Sequence, residues 1–118
     1  MMVKVEEMKT KDITLPRLNN LQPTLESTAF KLMEETGELA QAIGKFRGMS
    51  GERTEMSEQQ VMDMILRELL DVAQTAVSLM FVLEEEYGAD IGLAMERHIE
   101  KLIEKEYICV ERNHESKE

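Results

Sequence analysis

The chain has 118 residues, 42% of them hydrophobic and 32% charged, and its 24 acidic against 14 basic side chains leave a net charge of −10. That length suits one domain with one core, and that balance suits a charge-coated globular protein better than a disordered or membrane-embedded one. Duplex nucleic acid is excluded as a partner, because no dense Lys/Arg run offsets the acidity, and no apolar stretch is long enough to span a bilayer.

The amino terminus, MMVKVEEMKTKD, lacks the apolar core and small-residue cleavage site of a secretory signal, so the expected location is cytoplasmic. A single cysteine, Cys109, gives neither an internal disulfide nor a zinc signature. Residues 1–20 form an N-terminal segment whose pattern, DITLPRLNNL, fits either a turn or a short helix. The helical domain is expected over 21–108, with a flexible tail over 109–118 that contains ERNHESKE.

Pro16 and Pro23, the only prolines, both precede the long periodic segments, which predicts an all-α fold. The first helix is expected from about Thr24 to Phe46, stopped by Gly48, Ser50 and Gly51. Its apolar stripe is Leu25, Ala29, Leu32, Thr36, Leu39 and Ile43. At 100° per residue Glu35 lies about 80° from Ile43, Glu38 about 140° away on the same side, and Glu34 roughly opposite. The segment between Arg47 and Met56 reads as a flexible lid.

A second helix is expected to open at SEQQ, with Ser57 as N-cap and Gln60 closing a capping box, and to end at Tyr87 with Gly88 as a left-handed stop. Its stripe is Val61, Ile65, Leu69, Val72, Ala76, Leu79 and Leu83, with Glu68 about 60° to one side of Ile65 and Asp71 about 120° away. From Val72 to Leu83 the helix is apolar on most sides, more than a three-helix monomer covers, which predicts an oligomer, dimer or tetramer. A third helix, N-capped by Asp90 and ending near Tyr107, is expected to turn Ile91, Ala94, Met95, His98, Ile99, Leu102 and Ile103 inward.

Two carboxylate pairs, Glu35/Glu38 and Glu68/Asp71, are each spaced i,i+3. Antiparallel packing of their helices would bring four carboxylates to one cleft. Like charges one turn apart repel, and beside an apolar stripe they need a cation or basic partners such as Lys31 and Arg67. Hard oxygen donors without imidazole or thiolate favour Mg²⁺, Mn²⁺ or Ca²⁺. A carboxylate-bridged di-iron site needs two Glu-x-x-His pairs; the chain has two histidines, and His98 stands three residues after Met95. Magnesium held by carboxylates keeps positions for substrate phosphates, so the reaction class implied is phosphoanhydride chemistry.

The order EETGE then ELLD resembles the E-E-x-x-E and E-x-x-D signature of the MazG-like nucleoside triphosphate pyrophosphohydrolases, and LQPTLESTAFKLMEETGELAQAIGKFRG is similar to that family's first helix. The resemblance covers about residues 18–108. It implies an antiparallel helical bundle that assembles into a larger bundle by oligomerisation. It also implies hydrolysis of nucleoside triphosphates between the α and β phosphates, giving monophosphate and pyrophosphate, in nucleotide-pool cleaning. By the same resemblance Glu35, Glu38, Glu68 and Asp71 would bind Mg²⁺, with Mn²⁺ as substitute. Glu34, Glu35 and Glu38 would be catalytic, one of them accepting the proton of the attacking water.

Two departures stand out: the interval between Glu38 and Glu68 is long, and the basic residues after the second motif include no asparagine. Lys31, Arg97, Lys101 and Lys105 are the candidates to hold phosphate, Lys101 first among those after the motif. Selection of the base is expected from a pocket beside the cluster, built in part by the partner subunit and by residues before Thr24. Two other readings stay open: a non-catalytic nucleotide-sensing or protein-interaction module, and a superfamily member specialised for dUTP or phosphoribosyl-ATP.

Overall fold

Three α-helices make up the regular structure among the described residues, 8–48 and 56–109, of the computed structural model: α1 (Leu25–Phe46), α2 (Glu58–Tyr87) and α3 (Ile91–Glu104). The protein is all-α, in the helical-bundle class, and no strand occurs among those residues. None of these helices is long and apolar enough to cross a membrane. The expected lid and tail lie outside the described residues except at their ends.

Local chemistry sets the helix limits. Thr24 caps α1 by accepting from Ser27 N–H, while the Ser27 hydroxyl accepts from Thr24 N–H, a capping box the sequence pattern did not single out. At α2, Ser57 and Gln60 form the expected box, and Gly88 ends the helix in the left-handed region at φ 67°, where a side chain would be strained. Asp90 caps α3 through Leu93 N–H. The third helix stops at Glu104, short of the expected Tyr107, because the last turn closes on itself. Tyr107 N–H donates to Leu102 and Glu106 N–H to Ile103, with Glu106 at φ 61°. The left-handed Glu106 turns the chain out of the helix, and the two bonds satisfy the Leu102 and Ile103 carbonyls as it leaves.

The chain divides into two compact units, one over Leu15–Ala89 and the other formed by the segments on either side. In the first, α1 and α2 pack antiparallel: Glu35 of α1 stands beside Asp71 of α2, and Thr28, two turns earlier, shares a cleft with Ser78, two turns later. Buried at their interface are Thr28, Glu35 and Ala42 from α1 and Val61, Thr75 and Val82 from α2. The expected stripes are therefore rotated, by about 80° on α1 and about 70° on α2, toward the carboxylate side. Ala29, Thr36, Ile43 and Leu69 are exposed, and Glu35 occupies the seam. Small side chains explain the rotation. Ala42 and Thr28 let the backbones approach, and both threonines return their hydroxyls to the preceding turn, Thr28 to Thr24 O at 2.6 Å and Thr75 to Asp71 O at 2.8 Å.

Ahead of α1, residues 15–23 run as an irregular segment instead of a helix. Two long-range ties hold it on α2. Arg17 makes a forked pair with Glu85 at 2.6 and 2.8 Å, and the Gln74 amide donates to Pro16 O at 2.8 Å. In the second unit, α3 half-buries Ile91, Ile99, Leu102 and Ile103, while Ala94, Met95 and His98, expected inward, are exposed. The covered stripe of this short helix is narrower than its apolar arc.

Candidate active site

The seam between α1 and α2 gathers the motif carboxylates. Antiparallel packing sets i,i+3 positions of one helix level with those of the other, and rotation of both helices toward that side draws Glu35 inward. One oxygen each from Glu35, Glu68 and Asp71 lies within 4.8 Å of the others. Oxygens on opposite sides of one Mg²⁺ stand about 4.2 Å apart and those of one Ca²⁺ about 4.8 Å, so this triangle is at coordination scale.

Glu35 is buried, Glu68 half-buried and Asp71 exposed, so the cluster grades from the seam out to solvent. Lys31 Nζ stands 3.4 Å from Glu35 Oε1, one turn back on α1. The second oxygen of Glu35, and Oε2 of Glu68, are shielded from water with no hydrogen-bond partner among the described residues. A shielded carboxylate oxygen without a donor is costly unless a cation neutralises it. The donor set is all oxygen, so the residues fit a hard divalent cation.

Glu38 is adjacent but distinct. It lies outside the three-oxygen group and faces Glu68, which pushes the Glu38 carboxyl above the usual glutamate range. The first cause is hydrogen bonding with the Glu68 carboxyl. Repulsion from Glu68, partial desolvation and repulsion from Glu34 act in the same direction, and Lys31 opposes them. Glu34 itself is exposed and reaches the cluster only through this field. Lys31, expected to hold phosphate, lies on the seam with a largely exposed side chain. Arg97, Lys101 and Lys105 are exposed on and just after α3, in the second unit, with Lys105 Nζ 6.0 Å from the Tyr107 ring.

A cleft of 540 Å³ opens from Glu35 and Asp71 along the two helices, with Leu18, Leu21 and Pro23 as an apolar wall. The expectation that residues before Thr24 would line a pocket beside the cluster matches this geometry. Its α2 wall, Gln74, Thr75 and Ser78, was not foreseen. Those three are the polar residues that interrupt the apolar run VAQTAVSLMFVL on the Asp71 face, and that interruption was the available signal.

An antiparallel helix pair with a carboxylate triangle in its seam, opening onto a cleft of ligand size, defines an all-α protein suited to a divalent cation and a small ligand. Residues 23–109 match the family model for the MazG nucleotide pyrophosphohydrolase domain. The chain belongs to that family, whose members act on nucleotide phosphoanhydrides and generally use a divalent metal. No curated protein and no solved structure matches it.

Proposed function

We propose that the helical domain over 21–108 is a cytoplasmic enzyme that hydrolyses nucleoside triphosphates between the α and β phosphates, releasing nucleoside monophosphate and pyrophosphate. Its role would be clearance of unwanted nucleotides from the pool. The observation that carries this reading is the Glu35, Glu68 and Asp71 triangle with its two shielded, unpartnered oxygens.

Glu35, Glu68 and Asp71, joined by Glu38 on the open side, would hold Mg²⁺, with Mn²⁺ as substitute. The cation, when bound, supplies charge neutralisation for the phosphates and polarises a water. The rest falls to the chain. The 540 Å³ cleft orients the nucleotide so that its triphosphate lies at the carboxylate end. Lys31 offers the nearest positive charge to a phosphate oxygen. One of Glu34, Glu35 and Glu38 accepts the proton as water bonds to phosphorus and a P–O bond of the α–β bridge breaks.

Exposed Leu66, Leu69, Leu70 and Met80 on α2 support assembly into a homodimer or homotetramer. The test is pyrophosphate release from canonical, deoxy and modified nucleoside triphosphates with Mg²⁺, Mn²⁺ or EDTA, beside Glu38→Gln. Metal-dependent release of monophosphate and pyrophosphate, lost in the variant, is expected. No release from any substrate by folded, metal-bound protein would overturn the proposal.

A further inference from the structure

Four hydroxyl side chains, Ser27, Thr28, Thr75 and Ser78, line the 540 Å³ cleft. Three are committed locally. Ser27 is tied into the α1 capping box, Thr28 donates to Thr24 O, and Thr75 donates to Asp71 O. The Ser78 Oγ is shielded from water and has no hydrogen-bond partner among the described residues. Such a hydroxyl is retained at a cost unless something else uses it.

Its position suggests what uses it. Asp71, Gln74, Thr75 and Ser78 fall at i, i+3, i+4 and i+7, one face of α2, and seven residues of rise set Ser78 about 10 Å beyond Asp71. That is the interval a sugar and its first phosphate occupy between a phosphate-binding cluster and a base. Opposite Ser78, the segment pinned by Arg17 and Gln74 presents Leu18, Leu21 and Pro23, apolar surface for a flat ring, and Gln22, whose amide makes no hydrogen bond among the described residues. A second cleft of 330 Å³ meets the first at Leu18, Leu21, Gln22, Pro23 and Ser78, so the cleft does not end at the serine. Gln74 is excluded as the reader on its donor side, since its NH₂ is spent on Pro16.

We infer that Ser78 is the specificity-determining residue of the cleft, its hydroxyl turning about χ1 from its shielded position to read the edge of the nucleobase that the Leu18–Pro23 wall holds flat. This rests on the nucleotide reading of the same site. A hydroxyl aimed at a base edge discriminates between bases, whereas a hydroxyl that merely fills space affects all of them alike.

The experiment compares wild type, Ser78→Ala and Ser78→Thr. It reads kcat and KM for pyrophosphate release from the adenine, guanine, cytosine, uracil and thymine nucleoside triphosphates. It also reads equilibrium binding of the matching α,β-methylene analogues, which needs no turnover. Ser78→Ala is expected to change the ratio between the best and worst base by about tenfold or more, through KM and analogue affinity, with kcat nearly unchanged; Ser78→Thr should restore the wild-type ranking. The alanine variant should also melt no lower than wild type, since it deletes an unpaired hydroxyl. Equal loss for every base, or an unchanged ranking in both assays, would overturn the assignment while leaving the hydrolase proposal intact. A ranking of analogues that Ser78→Ala erases, in a protein that hydrolyses none of the triphosphates, would uphold the assignment and overturn the hydrolase proposal.

Discussion

A carboxylate's worth depends on what faces it. Glu38 faces Glu68, and that neighbouring carboxyl disfavours the ionised form of Glu38. Glu38→Gln should therefore leave the fold intact or more stable in EDTA, by thermal unfolding, while lowering kcat by about 10²–10³-fold or more with Mg²⁺. Asp71→Asn should lose turnover comparably, measured in the same assay. Glu85 shows the opposite case: the hydrogen bonds and charge of Arg17 hold its carboxyl below the usual glutamate range. Because the folded pKa is depressed, this contribution is present above the unfolded value and is lost as pH falls through the folded one. Glu85→Gln should accordingly lower the melting temperature at pH 7 and leave it unchanged at a pH below the folded value. A deficit that persisted at that lower pH would contradict the electrostatic account.

Elements here are fixed by their ends. The Thr24/Ser27 and Ser57/Gln60 boxes start α1 and α2, and Gly88 stops α2. Ser57→Ala should cost about 1 kcal/mol in urea unfolding, and Gly88→Ala about 1 kcal/mol or more, because alanine at φ 67° is strained whatever the space. The Ser57 box and Gly88 stop were legible because cap chemistry is local. The expected faces were not: Leu69 and Ile43 belong to the most apolar arc yet stay exposed, while Thr28 and Thr75 go inside. Periodicity ranks residues by hydrophobicity. Packing ranks them by how closely two backbones can approach, and a threonine that satisfies its own hydroxyl wins at a tight crossing.

For the molecule as a whole, the described core is thin. Ala42, Val61 and Val82 are its buried apolar residues, against a long roll of exposed large ones that includes Phe30, Met33, Leu66 and Leu70. Burial of so little apolar area is a weak basis for a stable monomer. Sedimentation of the full chain should show a dimer or tetramer, and Leu66→Glu with Leu70→Glu should shift it toward monomer. A wild-type monomer at micromolar concentration would refute the oligomer proposal.

The helices and their order, the caps of α2 and α3, the two i,i+3 carboxylate pairs and the family were legible in the amino-acid sequence. All of these are written in local spacing: an i,i+3 pair, a capping residue, a glycine stop. Which of those carboxylates meet was settled by helix packing, which brings Glu35, Glu68 and Asp71 into one triangle and sets Glu38 against Glu68. Tertiary contacts also fold the segment before Thr24 back onto α2 as the wall of a cleft with Ser78 on its other side. The reason is physical. A helix fixes the angle between its own side chains, but the rotation of two helices about their common seam is set by the volumes that meet there, and no single segment carries that information.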